Sequence, residues 1–163
     1  MSLTERVTDA NGVRTIDVTK DWFWEGNVVE CLARYLSGDG WLIIYKANTH
    51  SKERGVDIRA SKRNIDLLVE VKGYPSREYR DPRRAAEQKR TNPTNQAQQW
   101  YSHAVLKALR LQSKHPTAKV ALAFPDFPRY QALFQETHVG LQKLGVAFML
   151  VKETGNVQTW NLD

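Results

Sequence analysis

At 163 residues, 41% of them apolar, the chain is expected to form one domain with a real core. No apolar run approaches the roughly 20 residues of a membrane span, and the start MSLTERVTDANG lacks the order of a signal peptide; a soluble cytoplasmic protein with no membrane partner is expected. A net charge of +6 and a pI near 9.5 favour an acidic partner, and Cys31, the only cysteine, excludes an intramolecular disulfide or a cysteine-based zinc cluster within one chain and reads as a small buried residue in a reducing compartment.

Residues 1–20 are polar with scattered apolar positions and read as a short arm or an edge strand. From Trp22 to Leu36 the residues Trp22, Val28, Val29, Leu32 and Leu36 recur at helical spacing, and the run Ser37, Gly38, Asp39, Gly40 supplies a stop. Trp41 to Tyr45 has the composition of a buried strand. Two further strands, Val56 to Ala60 and Ile65 to Lys72, are predicted to form a hairpin about the turn Ser61 to Asn64. In the second of them Ile65, Leu67, Val69 and Val71 share one face, which should pack against a helix, while Glu70 and Lys72 share the other.

Residues 73–92 then form a basic loop carrying Arg77, Arg80, Arg83, Arg84, Lys89 and Arg90 against Glu78, Asp81 and Glu87. Leaving from the end of the strand that holds Glu70 and Lys72, its cations are placed to grip phosphates without reading bases. Pro93 opens a long helix to about Leu111. The remainder reads as strand KVALAF, helix Tyr130 to Leu144, strand VAFMLV from Val146, and a turn at Gly155 before VQTW. The order predicts an α/β fold, a central mixed sheet with a hairpin and helices on both faces.

Hydrolysing a phosphodiester requires a divalent ion, an activated water and positive charge near the developing negative charge. Asp57 and Glu70, brought together by the hairpin, offer the carboxylate oxygens that hard ions such as magnesium prefer, with manganese as a substitute. Lys72 can either orient the water or stabilise the transition state, and the Val71 carbonyl, expected to face the site, can act as a further oxygen ligand. His50, His103, His115 and His138 show no metal-ligand spacing, and there is no glycine-rich phosphate loop or nucleophile elbow.

GVDI, a dozen or so residues, and then EVK resembles the PD-(D/E)xK, or restriction-endonuclease-like, superfamily, over about Trp22 to Val151. The family's Asp, Glu and Lys fall on Asp57, Glu70 and Lys72; Val56 stands where the motif's name has proline. The resemblance implies a glutamate of the first helix facing the metal. Glu25 lies on the inward stripe with Val29, Leu32 and Leu36, whereas Glu30 falls off it, so Glu25 is the choice. It also implies a helical Gln with an aromatic four residues on, matched by Gln96 and Trp100, with Gln99 as the alternative. The implied function is a magnesium-dependent nuclease acting on nucleic acid, DNA first, in restriction, repair or recombination, drawing specificity from a homodimer or a partner protein. The competing reading is a nucleic-acid-binding scaffold with a nuclease fold and little or no catalysis. An unrelated small-molecule α/β enzyme would leave EVK and the arginines without a use.

Overall fold

The computed structural model describes residues 6–8, 14–48, 55–78, 82–84 and 87–163. Two short strands, β1 (Arg6–Thr8) and β2 (Arg14–Ile16), pair with each other as an antiparallel ribbon, so this stretch joins no edge of the main sheet. After a 3₁₀ turn at Val18–Lys20 come α1 (Glu25–Gly38), β3 (Leu42–Lys46), β4 (Ile58–Lys62) and β5 (Ile65–Val71). A second 3₁₀ turn, Pro82–Arg84, precedes α2 (Pro93–Lys114), β6 (Lys119–Pro125), α3 (Pro128–Lys143), β7 (Val146–Val151) and β8 (Val157–Trp160).

The six strands lie in sequence order, β3-β4-β5-β6-β7-β8. Pairing is antiparallel from β3 to β5, parallel from β5 to β7 and antiparallel again at β8, so the sheet is mixed. Alternation along each strand splits the core into two layers. Ile58, Leu67, Val69 and Val71 pack under α1 with Val28, Leu32 and Leu36. Leu68, Val120, Leu122 and Phe148 face α2 and α3, against Ala104, Tyr130 and Phe134. The fold is therefore the expected α/β sheet with helices on both faces. Among the described residues no helix is long and apolar enough to cross a membrane.

Several local expectations need correction. Helix α1 begins at Glu25 and not at Trp22, and Trp24 occupies its N-cap with extended backbone. The strand expected to be buried at Trp41 to Tyr45 is an edge strand: Leu42 and Ile44 are 70% and 52% exposed, because β3 has a neighbour on one side only and only Trp41 and Ile43 pack inward. The hairpin turn is shorter than Ser61 to Asn64. Arg63 and Asn64 both take left-handed backbone (φ 51° and 65°), the geometry of a two-residue turn that matches strand twist, and the ladder therefore continues to Lys62 opposite Ile65. Beginning at Ile58 rather than Val56, β4 leaves Asp57 just outside the strand. Cys31 is half-buried, its Sγ 3.7 Å from the Gly155 carbonyl oxygen.

Candidate active site

The hairpin register sets Ile58 opposite Val69, so the next amide out along β5, that of Val71, finds no backbone partner on β4. The side chain of Asp57 takes that place: its Oδ2 accepts from the Val71 N–H at 2.7 Å. In extended chain the N–H and C=O of one residue leave the same edge, so the Val71 carbonyl faces the side on which Asp57 sits. Glu70, of the same parity as Leu68, projects toward α2 and is 1% exposed.

A carboxylate buried that deeply requires counter-charge. Lys72 Nζ lies 2.6 Å from Glu70 Oε1, and Lys107 of α2 pairs with Oε2. Pattern reading did not pick out Lys107. Yet helical geometry could have found it: residues 96, 100 and 107 fall within about 40° of one another on the helix, so the face that carries Gln96 and Trp100 carries Lys107 three turns on. Replacing Lys107 by methionine is expected to destabilise the fold by about 1–3 kcal/mol, below the about 3–5 of a fully broken buried pair because Lys72 remains on Glu70. Urea unfolding measures it, and an unchanged midpoint would mean that the pair contributes nothing.

Glu25 reaches this centre from the other layer, where the chain leaving β5 meets the start of α1. Gly73 makes the meeting possible. A Cβ on it would lie 2.7 Å from both the Glu25 nitrogen and the Phe23 carbonyl oxygen. The Gly73 amide donates to the Glu25 carboxylate, the Tyr74 amide to the Phe23 carbonyl at 3.0 Å, and the Tyr130 hydroxyl to the Gly73 carbonyl at 2.8 Å. Gly73→Ala, which must push α1 off the strand, is expected to cost about 1–3 kcal/mol and to lower the melting temperature; a wild-type melting temperature would show that the joint yields freely.

The protonation states follow from this crowding. Burial, and then the negative charge of Glu70, raise Asp57 to about 7, opposed by the Val71 N–H. Burial raises Glu25 as well, with Lys72 working against it and Glu70 with it. For Lys72 burial works against the ammonium, but Glu70, Glu25 and Asp57 outweigh it and hold its pKa above the ordinary lysine value. Fully ionised, three carboxylates and two ammoniums leave one net negative charge.

Two open clefts meet here, and both are lined by Glu25 and Asp57. One, about 550 Å³, is cationic, with Arg59, Lys72, Lys107 and Lys114 in its wall. The other, about 440 Å³, is aromatic, with Phe23, Trp24, Tyr74 and Trp100.

The structure thus brings together Asp57, Glu70, Lys72 and Glu25, and sets Glu30 apart, exposed and paired with Lys46 at 2.6 Å. Gln96 makes no hydrogen bond to Lys72; its Oε1 is buried without a partner. Gln99 lies outside both clefts, in a shallow hollow with Gln98 and His103. In the basic loop, Arg77, Arg83, Arg84 and Arg90 are exposed, Arg84 pairs with Glu87 at 2.7 Å, and Lys89 lines the aromatic cleft. Arg80 and His50 lie outside the described residues. His115 lines the cationic cleft, while His103 and His138 are exposed elsewhere. Among the described residues no three His, Cys, Asp or Glu side chains converge as a ready-made metal cage.

No family model and no curated protein matches the chain. Two solved structures are similar to it. A FdxN element excision controlling factor protein from Anabaena variabilis is 18% identical, with a TM-score of 0.49 over 82% of this chain and 96% of that one. An XisH family protein from Nostoc punctiforme is also 18% identical, with a TM-score of 0.48 over 83% of this chain and 97% of that one.

Proposed function

We propose that the protein is a magnesium-dependent nuclease of the PD-(D/E)xK type that hydrolyses phosphodiester bonds of DNA. The observation that carries this reading is the hairpin placing Asp57 beside Glu70, with Lys72 on Glu70, where two open clefts meet. Burial, and after it the neighbouring Glu70 carboxylate, raise Asp57 to about 7, so the pair favours a proton in acid and would favour a divalent cation near neutrality. The donor set fits a hard ion: Asp57, Glu70 and the Val71 carbonyl are all oxygen, and manganese would serve as well. When bound, such an ion polarises the phosphate and acidifies a water. The site's one net negative charge suits a divalent ion together with a singly charged phosphodiester.

The chain's own groups then have separable roles. Lys72, held charged by the surrounding carboxylates, acts as a cation toward the phosphate or the attacking water and not as a base. Glu25, held above the ordinary carboxylate range, accepts the proton of the attacking water as the P–O bond to the leaving strand breaks. Lys107 balances Glu70 until ion and substrate arrive. Arg77, Arg80, Arg83, Arg84, Lys89 and Arg90 position the backbone, and a homodimer or a partner protein supplies base readout. We place the activity in the cytoplasm.

One observation favours a second reading. Both Glu70 oxygens lie against lysines, Oε1 against Lys72 and Oε2 as an ion pair with Lys107 that makes no hydrogen bond, as suits a scaffold that binds nucleic acid without cutting it. The test is cleavage of labelled DNA in magnesium by the wild-type and Asp57→Asn proteins. Cleavage by the wild type and its loss in the variant support the nuclease; binding without cleavage by either supports the scaffold.

A further inference from the structure

The aromatic cleft has no part in the chemistry of hydrolysis, although it shares Glu25 and Asp57 with the cationic one. Phe23 and Tyr74 in its wall are engaged by other rings: Tyr74 stacks on Phe127 at 4.0 Å between centroids, and Phe23 meets both edge-on. Trp100 is different. It is half-buried in the cleft wall and makes no ring contact among the described residues.

Resting on the nuclease reading, we propose that this cleft receives an unpaired base of the substrate strand, stacked on Trp100, next to the phosphate held by the cationic cleft. The substrate is then DNA with a single-stranded segment at the cut. The division of chemistry carries the argument. One wall offers the ammonium groups of Lys72, Lys107 and Lys114, with Arg59 paired to Asp66, the other a set of rings with Lys89 beside them, and they adjoin at the carboxylates. A nucleic-acid strand presents anionic phosphates and planar bases at the same close spacing. Bases of an intact duplex stay stacked inside it, out of reach of a pocket beside the backbone; an unpaired base can swing onto an aromatic platform.

The test uses the whole protein with calcium in place of magnesium and a short oligonucleotide carrying the fluorescent base 2-aminopurine, single-stranded or annealed to its complement. Stacking predicts that the wild type binds the single strand more tightly and quenches its fluorescence. Trp100→Leu should weaken single-strand binding about tenfold and lose the quenching, whereas Trp100→Phe, which keeps a ring, should stay within about threefold of wild type. Preference for the duplex, or an equal loss of affinity for both forms in Trp100→Leu, overturns the inference. The same proteins assayed in magnesium separate the two claims. Asp57-dependent cleavage with a duplex preference removes the unpaired-base inference and leaves the nuclease, while quenching and single-strand preference without any cleavage remove the nuclease and leave a single-strand binding cleft.

Discussion

Asp57→Asn is expected to lower magnesium-dependent cleavage by at least about 10³-fold while leaving the fold intact. The choice of asparagine matters because the nuclease reading gives Asp57 two functions. One of its oxygens satisfies the Val71 amide, a purely structural duty that an asparagine carbonyl can also perform. What asparagine cannot supply is the second negative charge beside Glu70. Asp57→Ala removes both, leaving the Val71 N–H without its acceptor at a cost of about 1–3 kcal/mol. Cleavage rate and melting temperature should therefore separate: activity lost in both variants, stability lost only in alanine. Wild-type cleavage by Asp57→Asn would place the catalytic centre elsewhere.

The second large effect is on stability against pH. Asp57 has a folded pKa of about 7 against an ordinary 3.8, so between those values the folded chain binds more protons than the unfolded one. The contribution of Asp57 to stability is then greatest below about pH 4 and is lost as pH rises through 7; Glu25, also raised, adds in the same direction. The melting temperature of the metal-free protein should drop by several degrees across that window, 1 kcal/mol being about 2–4 °C for a chain of this size. Magnesium at about a hundred times its dissociation constant should restore about 2.7 kcal/mol, or about 5–10 °C, at pH 8 and much less at pH 5, where protons compete. In Asp57→Asn the slope should shrink and the magnesium effect vanish. An unchanged slope in that variant would assign it to other groups.

Much of the fold was legible because its signals are local. Proline at the first turn of α2, period-two alternation in β5 and the apolar runs of β6 and β7 each point to one element type, and those elements stand within a few residues of expectation. Where the reading failed, the deciding fact was nonlocal. Nothing in Trp41 to Tyr45 says that it will have one neighbour instead of two. For the candidate site, EVK and the preceding Asp57 were visible as a motif, and helix register alone separated Glu25 from Glu30. Lys107 belongs to no motif because its partner lies across the molecule, although its register with Gln96 is in the sequence. Trp24 and Gly73 have meaning only once β5 runs against the start of α1: the ring of Trp24 folds over Gly26, where a Cβ would meet it.

The tight turn at Arg63 and Asn64 also bears on the order in which the site is assembled. Contacts across β4 and β5 are close in sequence and carry little loop-closure entropy, while β6 must dock after the whole basic loop and α2 have been traversed. Asp57, Glu70 and Lys72 all belong to the hairpin and its immediate flank, so they can come together early in folding. Lys107 arrives only with α2. The carboxylates would then meet while still in water and be sealed from it in a later step, with their second counter-ion carried in by the same helix that buries them.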